Sequence, residues 1–196
     1  MLTQGNVTGI IANLVIVKTH GPVAQNEICY INLDGVLLMA EVIKVLGDLA
    51  YVQVFESTRN LKVGAPVEFQ GHMLEVTLGP GILSKNYDGL QNDLNKMTGV
   101  FLQRGEYTAA LDDETIYHYV PLAKVGQTVR AGDWIGEVRE NWIPHKIMVP
   151  FKFQGTYKVK ELRPEGDYRI NETVAILLDG ENNEHPVTMV QKWPVK

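Results

Sequence analysis

Short apolar runs separated by turn residues recur throughout residues 1–70, and this rhythm limits the first part of the chain to β-structure. Valine and isoleucine crowd the run from Val7 to Val17, and Gly47-Asp48 separates two later apolar runs as the turn of a hairpin does. Strands that follow one another every ~8–12 residues are typical of small all-β barrels and sandwiches. Because closure removes the open edges of a sheet, we expect residues 1–70 to form a closed β-barrel.

A connector is predicted for residues 71–109. A strand-like run leads into the corner Gly79-Pro80-Gly81, where glycine and proline punctuate the chain. Beyond this corner, Leu83, Tyr87 and Leu90 fall at positions i, i+4 and i+7, which is the spacing of one helical face. The sequence therefore predicts one short helix between two β-rich modules.

The strand pattern returns after Tyr119 and predicts a β-sandwich over residues 110–185. Residues 121–138 read as a strand, a glycine turn and a second strand, and residues 166–177 repeat that outline loosely. Two half-motifs of this kind, related by pseudo-symmetry, build the flattened sandwich of biotinyl and lipoyl carriers, also called a barrel-sandwich hybrid. Residues 186–196 then read as a strand with an apolar ending, which we expect to lead into a further domain.

A carrier function is one interpretation of this second module. A carrier presents a modifiable lysine at the tip of the hairpin that follows the glycine motif. Here that position falls near Trp142, whereas the nearest lysine, Lys146, lies beyond Pro144 and is predicted to lie inside the next strand. A lipoyl- or biotin-type carrier therefore stays an alternative interpretation, although the position expected for the modified lysine falls near Trp142.

Charge and composition narrow the range of partners. The chain has 18 Lys and Arg against 23 Asp and Glu, a net charge of -5, so it lacks the basic surface that nucleic-acid binding requires. Its apolar run from Gly9 to Val17 is far shorter than the ~20 residues of a membrane span. We therefore expect a soluble intracellular protein with no nucleic-acid partner and no direct insertion into a membrane.

Candidate chemical groups are few. Cys29 is the single cysteine and stands between Ile28 and Tyr30 in a predicted strand, which indicates a core residue rather than a nucleophile. No zinc-binding spacing relates the histidines. The five histidines are His20, His72, His118, His145 and His185.

Two further motifs could be read as sites. Gly79-Pro80-Gly81 lacks the Lys-Ser/Thr pair of a phosphate loop, and Pro80 removes a backbone donor, so a structural corner is expected. The run Asp112-Asp113-Glu114 is either a metal or acid–base cluster or a solvated turn, and the turn is favoured because adjacent carboxylates point in different directions. The sequence thus predicts no catalytic, nucleotide-binding or metal-binding residue.

Several longer motifs point to one family. They occupy residues 21–24, 39–43, 54–64, 78–83, 87–91, 140–150 and 187–195, among them Leu78-Gly79-Pro80-Gly81-Ile82-Leu83 and the ending Trp193-Pro194-Val195. In this order they resemble the N-terminal portion of the catalytic alpha chain of V-type/A-type rotary ATPases and ATP synthases.

The resemblance implies an architecture and a set of partners. Residues 1–70 correspond to the six-stranded barrel that meets B subunits in the crown of the A/B hexamer. Residues 110–185 correspond to the bulge, or non-homologous insertion, which engages peripheral stalk subunits. Residues 186–196 lead to a nucleotide-binding domain that this sequence lacks.

The resemblance also implies what the whole complex does. The parent chain, with ATP or ADP and Mg, couples ATP hydrolysis or synthesis to proton or sodium transport, and it is cytoplasmic and peripheral to the membrane through its complex. The phosphate-binding loop and general-base glutamate of the family have no counterpart in this sequence. No catalytic residue is therefore carried over, and the chain is expected to bind no cofactor and to be inactive alone.

Overall fold

The computed structural model describes residues 2–97 and 104–195, and these residues form β-strands, turns and loops without any helix. The mainly β fold class predicted from the sequence is confirmed. The described residues divide into two compact units. One unit contains residues 2–76, Met97, residues 104–107 and residues 194–195, and the other contains Thr77–Lys96 and Thr108–Trp193.

The first unit is built on a closed barrel of six antiparallel strands, as predicted. Its strands are β1 (Gln4–Ile11), β2 (Leu14–Thr19), β3 (Glu27–Leu33), β4 (Val36–Leu46), β5 (Leu49–Val54) and β6 (Pro66–Met73). They pair in the order β1-β2-β5-β4-β3-β6, and β6 returns to pair with β1. The apolar run from Val7 to Val17 is thereby divided at Ala12-Asn13 into two strands of one hairpin.

Apolar side chains from every strand fill the barrel interior. Alternate residues of each strand point inward because successive side chains in a strand face opposite sides. The buried set is Val7, Val15, Val17, Cys29, Ile31, Leu33, Leu38, Ala40, Val42, Ala50, Val52, Val54, Leu61, Val67 and Phe69. Gly5 pairs with both Thr19 of β2 and Val67 of β6, and a Cβ there would lie 2.6 Å from the Lys18 carbonyl oxygen. The barrel therefore closes where β1 carries no side chain.

The second unit is a sandwich of two four-stranded sheets. Its strands are β8 (Ile116–Pro121), β9 (Thr128–Arg130), β10 (Trp134–Glu140), β11 (Ile143–Met148), β12 (Thr156–Leu162), β13 (Gly166–Arg169), β14 (Ala175–Leu178) and β15 (Glu184–Val187). One sheet has the order β11-β10-β8-β13 and the other has the order β15-β14-β12-β9. Strands β7 (Glu75–Leu78) and β16 (Gln191–Pro194) form a separate two-stranded sheet.

The two sheets of the sandwich are related by an internal repeat. Exchanging β8, β9, β10 and β11 with β12, β13, β14 and β15, respectively, turns the order of the first sheet into that of the second. Each half of the repeat contributes one short strand to the sheet of the other half: β9 pairs with β12, and β13 pairs with β8. This exchange is the hammerhead arrangement that the two glycine-turn motifs predict, and it buries one apolar core between the sheets. The core residues are Leu111, Tyr119, Ala123, Val129, Ile135, Val138, Ile147, Val149, Tyr157, Val159, Ile170, Val174, Ala175, Leu177, Val187 and Met189.

The short helix predicted in the connector is wrong. Residues 82–90 form a loop with two turns and an isolated bridge at Tyr87, and Leu83, Tyr87 and Leu90 are each half-buried in it. Ser84 has a φ of 62°, which interrupts a right-handed helix. The Asp88 carboxylate accepts hydrogen bonds from the Leu90 amide at 2.9 Å and from the Asn92 amide at 2.8 Å. Local bonds of this kind compete with a helix, so the apolar spacing alone was misleading.

Candidate functional site

The corner Gly79-Pro80-Gly81 is a packing site within the second unit. Gly79 and Pro80 are buried, and a Cβ on Gly79 would lie 3.1 Å from the Met189 carbonyl oxygen. Gly81 has a φ of 94°, and a Cβ there would lie 2.7 Å from the Tyr117 hydroxyl. Glycine is needed at both positions because the backbone approaches the sandwich closely. This agrees with the prediction that Gly79-Pro80-Gly81 is a structural corner.

The loop after the corner is held by side-chain amides and carboxylates. The Gln91 carboxamide accepts from the Thr77 amide at 2.6 Å and donates to the Thr77 carbonyl at 2.7 Å, so it acts as a short strand partner. Asn92, which is buried, accepts from the Thr108 amide at 2.9 Å. These bonds are internal to the unit and position the loop without a ligand.

Lys85 and Asp93 form the most deeply buried ion pair of this loop. Their Nζ and Oδ2 atoms lie 3.6 Å apart, and the Asp93 side chain is only 3% exposed. Lys85 also donates to the Ala110 carbonyl oxygen at 3.4 Å. The charge of each residue is thus committed to the loop, which leaves no free lysine here for a phosphate group.

Glu140 is a buried carboxylate that ties the connector to the sandwich. It is 6% exposed and ends β10. One oxygen accepts from the Leu83 amide at 2.9 Å, and the other accepts from Nδ1 of His145 at 2.9 Å. Both oxygens are satisfied by neighbours, so Glu140 is a positioning group rather than an acid or base that faces solvent.

The hairpin of β10 and β11 tests the carrier interpretation. Its tip is Asn141-Trp142, and the Trp142 side chain is 79% exposed. Lys146 lies inside β11, where it pairs with Glu137 and sits 5.1 Å from the ring centroid of Trp134. The strand position predicted for Lys146 is confirmed. The tip therefore presents an indole where a carrier needs a free amine.

Asp112 belongs to a solvated turn. Its carboxylate accepts from the Thr115 hydroxyl at 2.8 Å and the Glu114 amide at 3.2 Å. These two hydrogen bonds hold the pKa of Asp112 below its usual value, and the bond from Thr115 has the larger effect. Glu114 pairs instead with Arg169 at 2.9 Å. Within residues 2–97 and 104–195, no three His, Cys, Asp or Glu side chains are grouped to hold a metal ion.

The histidines lie apart and have separate partners. His118 bridges Asp167 at 2.7 Å and Glu165 at 3.2 Å on the exposed surface of β8. These hydrogen bonds, with that to Asp167 the larger cause, raise the pKa of His118 above its usual value. His185 contacts Asp179 at 2.9 Å. Each of these two histidines is accounted for by contacts with nearby carboxylates.

Cys29 lies in the barrel wall and faces the core. Its side chain is fully buried, and burial together with the nearby Glu27 carboxylate raises the pKa of the thiol to about 12. A thiol with so high a pKa stays protonated at neutral pH and is a poor nucleophile. The prediction of a core cysteine is confirmed.

The barrel also carries an open groove of about 590 Å³. Its polar lining includes the carboxamides of Gln4, Asn6, Asn32 and Gln70. No lysine or arginine belongs to the lining residues, and the Glu68 carboxylate among them would repel a phosphate.

A cluster on the barrel was not foreseen. Glu56 follows β5 and accepts hydrogen bonds from the Gly105 amide at 2.9 Å and from the Tyr107 hydroxyl. Burial and the bond to Glu56 raise the pKa of Tyr107 above its usual value. Sequence reasoning missed this contact because some fifty residues separate its members and neither residue type carries a motif.

Comparisons with known proteins give one consistent answer. The model of the beta-barrel domain of the ATP synthase alpha/beta family matches residues 7–71. The model of the ATP synthase alpha/beta subunit barrel-sandwich domain matches residues 108–196. Both matches agree with the architecture of the described residues. In residues 2–97 and 104–195 no helix is long and apolar enough to cross a membrane.

Whole-chain relatives extend this result. The V-type ATP synthase alpha chain of Treponema denticola is 45% identical over 197 residues, which cover 99% of this chain and 33% of the relative. Those of Borrelia hermsii and Chlamydia abortus are each 43% identical, covering 100% and 99% of this chain and 34% and 33% of the relatives. The chain thus spans about a third of the length of these relatives.

A six-stranded barrel together with a barrel-sandwich module places the chain in the ATP synthase alpha/beta family. Within that family, the chain corresponds to the N-terminal part of the V-type ATP synthase alpha chain. The family resemblance found in the sequence motifs is therefore confirmed.

Proposed function

We propose that this chain is an assembly region of a V-type ATPase or ATP synthase and is not itself catalytic. The observation that carries the proposal is its similarity, over 99% of its length, to V-type ATP synthase alpha chains. The barrel makes crown contacts with B subunits in the hexamer, and the sandwich engages peripheral stalk subunits. The chain is cytoplasmic and peripheral to the membrane through that complex.

In this proposal the chemistry belongs to the whole alpha chain and its complex. The complete complex couples ATP hydrolysis or synthesis to proton or sodium transport, and ATP or ADP and Mg²⁺ are bound by the part of the alpha chain that this sequence does not span. The ion pair of Lys85 with Asp93 and the hydrogen bond between Glu140 and His145 support a scaffold role, since these side chains are occupied by one another.

Exposed aromatic side chains support the role in contacts. Trp142 at the hairpin tip and Trp134 on the same strand pair are largely exposed, and tryptophan is the residue type that most often dominates protein interfaces. The hairpin is also held in place beside its tip by Glu140, so little order has to be gained when a partner binds.

Mixing experiments test the assembly role. We expect the purified chain to form complexes with B subunits and with peripheral stalk subunits of a V-type ATP synthase, measured by native mass spectrometry. Trp142→Ala is expected to weaken stalk binding at least tenfold, and Lys158→Ala, an exposed change on the other sheet, to leave it unchanged. Failure of the wild-type chain to bind either set of subunits would contradict the proposal.

Calorimetry tests the absence of catalysis. Titration of the chain with millimolar MgATP is expected to give no binding heat, whereas a full-length V-type alpha chain serves as the positive control. A saturable isotherm in the micromolar range would show that the chain holds a nucleotide site and would refute a purely assembling role.

A further inference from the structure

Residues 104–107 form a strap that lies on the barrel, and we propose that Glu56 is the latch that holds this strap and whose loss releases it. The inference concerns the barrel alone and does not rest on the assembly function. It follows from the way in which a single carboxylate is shared between two positions of the strap.

Both oxygens of Glu56 bind the strap. Oε2 accepts a hydrogen bond from the Gly105 amide at 2.9 Å, and Oε1 accepts one from the Tyr107 hydroxyl. Hydrogen bonds to a charged group are stronger than those between neutral groups. Loss of this one side chain therefore removes two charge-assisted bonds at once.

The other hydrogen bonds of the strap lie at the surface, and the longest of them joins the Tyr107 hydroxyl to the Leu37 carbonyl oxygen at 3.4 Å. Arg104 donates to the Arg59 carbonyl oxygen at 2.8 Å, and the Met39 amide donates to the Tyr107 hydroxyl at 3.0 Å. The Tyr107 ring meets Tyr30 edge-on with centroids 6.4 Å apart, and it remains 36% exposed.

Apolar burial of the strap is limited to partial burial of Tyr107 against Tyr30. No residue of the strap belongs to the buried core cluster of the barrel. Segments with few buried apolar contacts open locally at low free-energy cost. The strap is thus an element that opens independently of the barrel, and the bonds to Glu56 determine how often it does so.

The strap has a defined place in the chain. Tyr107 belongs to the barrel unit, and Thr108 is the first residue of the following stretch of the sandwich unit. The latch therefore acts on the last residues of the barrel unit before the chain enters the sandwich unit at Thr108.

Hydrogen exchange and proteolysis of the full chain test the latch. In Glu56→Ala we expect the Gly105 amide to exchange about 10–100 times faster and native-state trypsin cleavage after Arg104 to accelerate by a similar factor. Tyr107→Phe removes one of the two bonds and is expected to have a smaller effect in the same direction. Glu68→Ala, an exposed barrel glutamate, is the matched control and is expected to change neither rate.

Two results would overturn the inference. One is a rate for Glu56→Ala within twofold of wild type at both Gly105 and Arg104. The other is an equal acceleration at buried barrel amides such as Val52, since that would mean that the whole barrel, and not the strap, had been loosened. If Glu56→Ala fails to fold, Tyr107→Phe provides the test instead. Unchanged amide exchange at Gly105 in Tyr107→Phe would equally refute the latch.

Discussion

The ring of Tyr119 covers Gly136 on the neighbouring strand so closely that a Cβ on Gly136 would lie 2.1 Å from Cε2 of the tyrosine. The Tyr119 hydroxyl donates to the Ile135 carbonyl oxygen at 3.1 Å, which holds the ring in this position. Tyr119 is fully buried, so the ring has little room to move away. The missing side chain of one strand is thus replaced by the aromatic ring of the next.

Gly136→Ala is expected to destabilise the sandwich because the new methyl group and the Tyr119 ring cannot share the same space. We expect a loss of about 1–3 kcal/mol in the free energy of unfolding, the usual range for overpacking, measured by urea denaturation. Gly180→Ala is the control, since a Cβ there would meet nothing within 4 Å. Equal stabilities of the two variants would contradict the packing argument.

Glu140→Ala is expected to lower stability by roughly 1–3 kcal/mol, because it leaves the Leu83 amide and His145 without their buried acceptor. The same measurement on Glu165→Ala, where the side chain is exposed, is expected to change stability by less than about 0.5 kcal/mol. A loss at Glu140 no greater than that at Glu165 would show that the connector does not depend on this carboxylate.

Intact-mass measurement separates an assembly region from a carrier. After expression beside active biotin and lipoate ligases, the chain is expected to have the mass of its bare sequence. The physical reason is that Lys146 lies within β11 and pairs with Glu137, while the exposed tip carries Trp142. A biotinyl or lipoyl mass increment located on Lys146 would restore the carrier interpretation.

His118 is expected to make a pH-dependent contribution to the stability of the folded chain. Its pKa is raised in the folded chain by hydrogen bonds to Asp167 and Glu165, so the folded state holds the proton more tightly than the unfolded state does. The resulting stabilisation is complete below the usual histidine value of about 6.5 and is lost as the pH rises through the folded pKa. NMR titration of the imidazole is expected to give a midpoint above about 6.5, and Asp167→Asn is expected to lower it. A midpoint that Asp167→Asn leaves unchanged would contradict this assignment.

Much of the fold could be predicted because its signals are local. The turn Gly47-Asp48 is an example, since it joins the paired strands β4 and β5 and Gly47 adopts a φ of 60°, which favours glycine. The glycine-turn motifs likewise predicted the repeat within the sandwich, and the long family motifs predicted the family. The domain boundaries at residues 70, 110 and 185 stay predictions.

The short helix shows where local patterns fail. Leu83, Tyr87 and Leu90 have helical spacing, yet Tyr87 pairs with Asp93 in an isolated bridge and donates to the Ala110 carbonyl oxygen at 2.7 Å. Contacts with residues outside the window outweighed a weak propensity in a segment that contains Ser84 and Gly89. Three apolar positions are too few to specify a helix against such competition.

The sequence by itself determined that this protein is β-rich, that it turns a corner at Gly79-Pro80-Gly81, and to which family it belongs. It could do so because turn preference, alternation and motifs are properties of neighbouring residues. Only the tertiary structure decided that Glu56 holds Tyr107, that Glu140 holds Leu83 and that Tyr119 covers Gly136. Each of these contacts joins residues that are distant along the chain, and their distances and burial follow from how the strands close and pack rather than from any local pattern.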